Sequence, residues 1–410
     1  MNINRAGDFI MDPQKILDIA PFGVFPPTNG GSIRINSLNM RLSKEYDIFL
    51  FSQGLRSHEF RLSSKSWVTK INPNYTEYRF INIPSLFFTH LLSKMTIPPV
   101  FFNDILRFIN PSSLKDRLET SDLIQVEHPW QFKYAFSNKN TTTPIIFVEH
   151  NVELCLQDQL LRSKFSKNFL QYVEKNEAFA LDKSNAIFSV SNEDKDKLIE
   201  YYDVDKSKIY VVPNGVDTAL FKPSTEKEKE LLKQKFNLVG KKIVLFTGWA
   251  YQPNYEAVEE IIRISKELND DNLVFLIVGK VGERFLYDNN NTLNNILFTG
   301  RVESVEPYYK LADIAINPMK SGSGSNLKML EYLSSGLPII TTDVGARGLT
   351  LNNGDSIICS VEDFGANIEK LLYNEKLCKS IGSNGRNVVL EKYDWQKIGD
   401  EVSRIYKELI

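Results

Sequence analysis

The sequence predicts an α/β protein with doubly wound parallel sheets, divided into two domains. Short runs of consecutive Ile, Val, Leu and Phe alternate with stretches of helical periodicity, as expected for strands buried on both faces of a parallel sheet. The chain has 410 residues, which exceeds the roughly 250 to 300 residues at which one hydrophobic core usually stops growing. We therefore place two domains at 1–208 and 209–392, followed by a terminal segment at 393–410.

Composition narrows the classes of function. The formal net charge is −2, so no global basic field attracts nucleic acid. The three cysteines are too few for a disulfide framework, which favours a reducing compartment. Residues 1–15 lack the apolar core of a signal peptide, and Met11 is an alternative start. We expect a cytoplasmic protein that does not bind nucleic acid.

The first half of the chain is predicted to contain six buried strands. They are Lys15–Ala20, Tyr46–Ser52, Leu123–Glu127, Ile145–Glu149, Ala186–Val190 and Ile209–Val212, with helical stretches such as Ser166–Lys183 between them. Two adjacent glycines, Gly30 and Gly31, precede a helical pattern that includes Ile35, Leu38 and Leu42. Paired glycines at this position predict a loop between the first strand and the first helix.

Two of these strands lead into a histidine, His128 and His150. Both imidazoles are expected at the carboxyl edge of the sheet, where open α/β sheets bind ligands. A polar edge residue without a function is the competing interpretation of each. Glu149 and Glu153 flank His150 and are equally compatible with a solvated face.

The C-terminal domain is predicted to repeat this architecture. Its strands are Lys242–Thr247, Leu273–Val278, Asn295–Thr299, Asp313–Asn317, Pro338–Thr342 and Ser356–Ser360. Gly248 ends the first strand, and Gly300 and Arg301 follow the third, where a plain turn is one interpretation. An apolar stripe at helical spacing occupies the terminal segment: Trp395, Ile398, Val402, Ile405 and Leu409.

A glycine loop leads from the fourth of these strands into a helix. If Ser325 caps that helix, Lys328 is its third residue, where the macrodipole disfavours a cation by about 0.3 to 1 kcal/mol. A bound anion would reverse that sign. Because Gly322 and Gly324 expose backbone N–H groups nearby, the pattern predicts a phosphate site. A tight strand-to-helix turn is the competing interpretation.

A dinucleotide-binding interpretation of the same loop is weaker. Gly322 and Gly324 form G-x-G, and Asp343 ends the next strand about 20 residues later, where a ribose-binding acid would lie. However, Leu327 occupies the third glycine position, and the motif does not follow a first strand. A nicotinamide enzyme is therefore disfavoured.

The nucleotide-sugar-binding signature of family four glycosyltransferases resembles the run GSGSNLKMLEYLSSGLPIITTDVGARGL. The resemblance implies the GT-B fold, in which two Rossmann-like domains with parallel sheets face each other across an interdomain cleft. It also implies that Glu331 binds the nucleotide ribose and that Lys328 meets the donor diphosphate. The family's first signature glutamate is replaced by Ser323, so backbone N–H groups of the loop from Gly322 to Ser325 are expected to contribute on that side.

The resemblance also assigns roles in the N-terminal domain and at the chain end. It implies that Gly30 and Gly31 approach the donor phosphates and sugar. The segment VEHNVE resembles the family segment whose histidine, here His150, contacts the transferred sugar or the acceptor. The terminal helix is implied to pack back on the N-terminal domain.

In the C-terminal domain, the loop at Gly248 is implied to approach the diphosphate and Arg301 to lie near the nucleotide base. The family often has an arginine and a lysine in this loop, but this chain has neither between Gly248 and Asn254. It resembles instead a subgroup with a Pro-Asn pair, here Pro253 and Asn254. Lys328 is therefore expected to carry more of the phosphate charge.

The resemblance implies a hexosyltransferase-like enzyme that moves a sugar from a nucleotide-diphosphate sugar to a glycan, lipid-linked or small-molecule acceptor, with retention and without a metal ion. Neither H-E-x-x-H nor C-x-x-C occurs, so we expect no metal and no cofactor besides the donor substrate. A GT-B nucleotide-sugar epimerase and a catalytically silent GT-B partner subunit are the alternatives. No pair of carboxylates suggests a glycoside hydrolase.

The stretch 83–106 is rich in Phe and Leu but is interrupted by Lys94, Pro98 and Pro99. No run in the chain approaches the roughly 20 apolar residues of a membrane span. A helical hairpin that covers the N-terminal sheet is one interpretation of 83–106. The other is an interfacial surface that brings the enzyme to a lipid-borne acceptor at the inner face of the membrane.

Overall fold

The computed structural model describes residues 2–3, 9–10, 12–54, 66–81, 106–109, 111–160, 166–268, 270–286, 295–322, 326–352 and 354–410. The chain forms two compact units. The first comprises Met1–Pro213 and Ile398–Ile410, and the second comprises Asn214–Lys397. Each unit is built around its own buried apolar core.

The first unit contains a mostly parallel sheet flanked by helices. The strands of this sheet are β3 (Lys15–Ala20), β4 (Asp47–Gln53), β5 (Trp67–Asn72), β6 (Tyr75–Phe80), β7 (Leu123–Glu127), β8 (Ile145–Glu149), β9 (Ala186–Ser189) and β10 (Ile209–Val211). Two short strands before it, β1 (Asn2–Ile3) and β2 (Phe9–Ile10), form a separate antiparallel pair. The described helices of the unit are α1 (Gly30–Leu42), α2 (Leu106–Ile109), α3 (Ser112–Thr120), α4 (Phe132–Asn138), α5 (Glu153–Leu160), α6 (Ser166–Lys183) and α7 (Asn192–Tyr202).

The strand order of this sheet is β10-β9-β8-β7-β3-β4-β6-β5. Only β5 runs antiparallel to its neighbour, as the outer strand of a hairpin with β6. The chain order reverses on either side of β3, and open α/β sheets bind ligands at the carboxyl ends of the strands beside such a point. The carboxyl ends of β3, β7 and β8 therefore border the expected ligand site.

The first unit extends further than the predicted boundary at 208/209. Strand β10 pairs in parallel with β9, which makes Ile209–Val211 the last strand of the first sheet. The second difference is at the chain end. Helix α15 (Trp395–Leu409) begins two residues after the predicted start of the terminal segment, and the first unit includes it from Ile398 onward.

The terminal helix packs into the first unit through one apolar face. Ile405 and Tyr406 are each 1% exposed. The Tyr406 hydroxyl donates to Gln125 Oε1 at 2.7 Å, and the Tyr46 hydroxyl donates to the Ser403 carbonyl at 3.2 Å. The apolar stripe recognised in the sequence is thus the buried face of this helix.

The second unit is a six-stranded parallel sheet with helices around it. Its strands are β11 (Lys242–Thr247), β12 (Leu273–Val278), β13 (Ile296–Phe298), β14 (Ile314–Asn317), β15 (Ile339–Thr341) and β16 (Ile357–Ile358), in the order β13-β12-β11-β14-β15-β16. The described helices are α8 (Glu226–Lys235), α9 (Gln252–Leu268), α10 (Glu306–Leu311), α11 (Leu327–Ser334), α12 (Asp343–Ala346), α13 (Phe364–Leu372) and α14 (Glu375–Lys392). The order reverses between β11 and β14, so the carboxyl ends of these two strands border the ligand site expected here.

The structure provides two further facts about the membrane hypothesis. None of the helices within the described ranges combines the length and the apolar character that crossing a bilayer requires. The stretch 83–106 lies outside the described residues except for Leu106, which is fully buried in the first core.

Candidate active site

In the second unit, three glycines follow three neighbouring strands at the carboxyl edge of the sheet. The Gly248 N–H donates to the Val278 carbonyl at 3.0 Å, and the Gly279 N–H donates to the Gly300 carbonyl at 3.1 Å. Gly279 has φ = +104°, and a Cβ atom there would lie 2.5 Å from the Gly248 carbonyl oxygen. A side chain does not fit at this point, so backbone forms the edge beside Gly248. Arg301, the next residue after Gly300, is exposed.

Lys328 lies at the start of helix α11, close to this edge. The helix is capped by Asn326, so Lys328 is its second residue and not, as the sequence suggested, the third residue after a cap at Ser325. Nζ of Lys328 donates to Asn254 Oδ1 at 2.8 Å and lies 4.1 Å from the centre of the Phe246 ring. The ammonium therefore sits between a neutral amide and an aromatic face, at the positive end of a helix.

The surroundings of Lys328 are unfavourable for its charge. Burial lowers the pKa of Lys328 to about 7, although the charge of Glu331 acts in the opposite direction. Asn254 Nδ2 donates to the Trp249 carbonyl at 2.9 Å, which turns the amide oxygen toward the lysine. Within the described residues Lys328 makes no ion pair. An anionic ligand is the group that would stabilise the ammonium here.

Glu331 lies one turn further along the same helix. Its Oε2 accepts a hydrogen bond of 2.5 Å from the Tyr309 hydroxyl, which also lies 3.3 Å from the hydroxyl of Thr247. Burial raises the pKa of Glu331 to about 7, while the bond from Tyr309 and the charge of Lys328 act in the opposite direction. Tyr309 thereby orients the carboxyl group, and Oε1 has no hydrogen-bond partner among the described residues.

The glycine loop is described only at its two ends. Gly322 has φ = +127°, and its carbonyl accepts a hydrogen bond of 2.6 Å from Arg347 Nη1. Ser323, Gly324 and Ser325, which the sequence places in the donor site, lie outside the described residues. Their roles stay predictions.

In the first unit, Gly30 and Gly31 are not a loop but the first two residues of helix α1. The Asn29 side chain accepts from the Ser32 N–H at 2.9 Å, and Ser32 Oγ accepts from the Asn29 N–H at 3.0 Å. This reciprocal capping starts the helix at Gly30, a signal that the paired glycines concealed. A Cβ atom on Gly31 would lie 2.9 Å from Phe22, so a small residue is required there.

His150 belongs to a group of four side chains at the carboxyl edge of the first sheet. Its Nε2 lies 2.5 Å from Glu127 Oε2, and its ring stacks on that of His128 with centroids 4.4 Å apart. His128 Nδ1 lies 2.8 Å from Glu153 Oε1. Burial and the charge of His128 lower the pKa of His150 to about 4, against the raising effect of Glu127. His150 is therefore a neutral imidazole at physiological pH.

Sequence reasoning placed both histidines at this edge but missed Glu127, although it lies next to His128. It also missed Tyr309, which no local pattern connects to Glu331. Asn254 was noted for its Pro-Asn pair, without a link to Lys328. The missed contacts join residues of different elements, and only the folded chain brings them together.

Within the described residues, no group of three or more His, Cys, Asp or Glu side chains is arranged to hold a metal ion. The chain has two D-x-D sequences, at 194–196 and 203–205. Asp194 bonds with the Ser191 hydroxyl at 2.7 Å, and Asp205 accepts from the Ser207 N–H at 2.9 Å, so both aspartates act in local caps.

Two doubly wound units in one chain, the second with a lysine and a glutamate on one helix beside the carboxyl edge, define the architecture of a GT-B glycosyltransferase. Comparison with known families agrees. The model described as Glycosyltransferase Family 4 matches residues 73–220, and the model described as Glycosyl transferases group 1 matches residues 241–374. The chain belongs to the family-four type of GT-B glycosyltransferases.

Individual relatives support this assignment. An uncharacterised glycosyltransferase of Methanocaldococcus jannaschii is 25% identical, over 96% of this chain and 98% of its own length. The UDP-Gal:alpha-D-GlcNAc-diphosphoundecaprenol alpha-1,3-galactosyltransferase of Escherichia coli is 28% identical, over 57% of this chain and 63% of its own. The structure of sucrose-phosphate synthase from Thermosynechococcus elongatus superposes with a TM-score of 0.73 at 16% identity, covering 97% of this chain and 99% of that chain. Neither the epimerase nor the silent subunit is favoured by these matches.

Proposed function

We propose that this enzyme transfers a hexose from a nucleotide-diphosphate sugar to a glycan, lipid-linked or small-molecule acceptor, with retention at the anomeric carbon and without a metal ion. The observation that carries the proposal is Lys328, an ammonium without an ion-pair partner among the described residues, at a helix N-terminus beside a backbone edge. The E. coli relative, whose name specifies UDP-Gal, supports a nucleotide sugar as donor.

In the proposed reaction the bond between the anomeric carbon and the β-phosphate oxygen breaks, and the acceptor oxygen bonds to the same face of the sugar while its hydroxyl proton passes to the leaving phosphate oxygen. Negative charge develops on the leaving diphosphate. Lys328 and the N-terminus of α11 stabilise that charge, which replaces the role of a metal ion. Glu331 accepts hydrogen bonds from the ribose hydroxyls through its carboxylate.

Thermal-shift titration with a panel of nucleoside diphosphates and their sugars tests the proposal. A ligand at 100 times its dissociation constant stabilises the native state by about 2.7 kcal/mol, which is readily measured. We expect stabilisation by one nucleotide series, unchanged by a chelator. Stabilisation that disappears with the chelator would contradict metal independence. A panel without any effect would contradict donor binding.

The acceptor is the remaining part of the proposal. The E. coli relative acts, by its name, on a sugar linked through diphosphate to undecaprenol, which supports a lipid-linked acceptor. An enzyme with such an acceptor would act at the inner face of the membrane. Co-sedimentation with vesicles that contain a polyprenyl-diphosphate sugar, compared with vesicles that lack it, measures this association. If the enzyme sediments with neither kind of vesicle, the acceptor is a soluble glycan or a small molecule.

A further inference from the structure

The tripeptide Val-Glu-His occurs twice in the first unit, at residues 126–128 and 148–150, where the neighbouring strands β7 and β8 end. The register pairs Glu127 with Val148, so the two copies are staggered by one residue. Side chains alternate between the two faces of a sheet. The stagger therefore places Glu127 on the same face as His150 and Glu149 on the opposite face.

The stagger gives the two glutamates opposite environments. Glu127 bonds with His150 Nε2 through Oε2, and its Oε1 accepts from Gln125 Nε2 at 2.6 Å. Burial acts to raise the pKa of Glu127, but the hydrogen bond with His150 and the charge of Arg34 outweigh it and hold that pKa below its usual range. Burial, followed by the charges of Glu177 and Glu153, raises the pKa of Glu149 well above its usual range. The surroundings therefore favour the carboxylate form of Glu127 and the neutral acid form of Glu149.

His128 holds the plane of the His150 ring. Its backbone has φ = +73°, an uncommon conformation that redirects its side chain after the strand. The two rings are nearly parallel, with an interplanar angle of 9°. Because Nε2 of His150 is engaged by Glu127, Nδ1 is the ring nitrogen without a hydrogen-bond partner among the described residues, and 7% of the side chain is exposed.

We propose that Glu127 is a positioning residue that holds His150 in the Nε2–H tautomer, so that the Nδ1 lone pair accepts a hydrogen bond from a substrate hydroxyl. The inference rests on the proposed function, because the hydroxyl belongs to the transferred sugar or to the acceptor. The neutral imidazole donates its one proton to Glu127 and keeps one acceptor nitrogen. A carboxylate that fixes the tautomer of a histidine is an arrangement known from other enzyme active sites.

The bond from Gln125 makes Glu127→Gln informative. Gln125 Oε1 is engaged by the Tyr406 hydroxyl, so its amide group points toward residue 127 as a donor. A glutamine at 127 must place its oxygen toward Gln125 and its NH₂ toward His150 Nε2. We expect the imidazole proton to move to Nδ1, which then donates and no longer accepts. The double variant Gln125→Glu with Glu127→Gln reverses the amide again and restores the Nε2–H tautomer.

Imidazole ¹⁵N NMR of the substrate-free protein at pH 7.5 measures the tautomer directly. The chain has four histidines, and loss of a signal in His150→Gln assigns the one concerned. We expect an Nε2–H tautomer in the wild type, Nδ1–H in Glu127→Gln, and Nε2–H again in the double variant. An Nδ1–H tautomer or an imidazolium in the wild type would overturn the proposal, and this result does not depend on activity.

Kinetics on the same proteins test the consequence for turnover. We expect kcat of Glu127→Gln to fall by about 10²-fold, at the lower end of general acid–base effects, with the donor KM within about twofold of wild type. Glu149→Gln is the matched control, since it replaces a buried carboxyl on the opposite face of the sheet whose neutral form is favoured, and its kcat stays within about twofold. Wild-type kcat in Glu127→Gln with an inverted tautomer would refute the positioning role. A wild type with the expected tautomer but no donor binding would instead refute the proposed function.

Discussion

Replacing Lys328 tests the donor site most sharply, because the charge of the Lys328 side chain depends on pH near neutrality. The pKa of Lys328 is lowered to about 7 by burial. A bound diphosphate favours the ammonium form, so it raises that pKa and the affinity falls as the pH rises. If the pKa of the bound form returns to its ordinary value of about 10.4, the nucleoside diphosphate affinity falls about 50-fold from pH 7 to pH 9, or about 2.3 kcal/mol.

Two variants separate this effect from others. Lys328→Met keeps the length of the side chain without the charge. If it binds the diphosphate as a neutral lysine would, the same two pKa values predict a loss of affinity at pH 7 of about 10³-fold. At pH 9 the ligand-free wild type has lost its proton and must regain it on binding, so its advantage over Lys328→Met narrows to about 25-fold. Lys328→Arg remains charged up to pH 9, and the loss of affinity with pH disappears.

Isothermal titration with the stabilising nucleoside diphosphate at pH 7, 8 and 9 gives the three affinity profiles. Circular dichroism and the melting temperature of the ligand-free variants show that the fold is kept. Equal affinity of Lys328→Met and the wild type at pH 7 would refute the assignment of Lys328 to the diphosphate. If the affinities of the wild type and Lys328→Arg decline equally from pH 7 to pH 9, a group other than Lys328 causes the pH dependence.

Further predictions concern the same unit. In the wild type, the affinity for the nucleoside diphosphate should fall below pH 7, because the pKa of Glu331 is raised to about 7 and its carboxylate is the form that accepts hydrogen bonds from the ribose. Glu331→Gln should remove this fall, which titration at pH 5.5 and 7 measures. The same fall in the variant as in the wild type would contradict the role of Glu331. Gly279→Ala should lower the free energy of unfolding by about 2 kcal/mol or more, since its Cβ would lie 2.5 Å from a carbonyl oxygen at positive φ. Denaturant titration checks it against Gly365→Ala, where the nearest atom is 3.7 Å away.

The sequence predicted the central strands well because their signal is local. Strands β3, β7, β8, β11 and β12 have the predicted bounds, and every residue of β7, β8 and β12 is buried. The hairpin of β5 and β6 was missed because it lies at the sheet edge, where one face is open and residues alternate. Val68 of β5, for example, is 61% exposed. A run of consecutive apolar residues is absent where only one face is covered.

The site was predicted only where its residues are close to each other in the sequence. Lys328 and Glu331 are three residues apart on one helix, so a pattern within the sequence brings them together. Their partners Asn254 and Tyr309 lie on helices α9 and α10, and only packing brings them to α11. The distinction between Glu127 and Glu149 depends on strand register, which identical tripeptides cannot encode.

The partners of Lys328 also explain why a lysine with a lowered pKa suits the proposed function. A carboxylate beside Nζ would keep that pKa high, but a diphosphate would then have to break an existing ion pair before binding. Asn254 satisfies one N–H of the ammonium without neutralising it, so the ligand-free site retains an uncompensated charge. Part of the folding free energy therefore appears as attraction for an anion. Because the pKa of the ligand-free lysine is about 7, binding at neutral pH must also restore part of the proton, which limits the affinity for the nucleoside diphosphate and keeps its binding reversible.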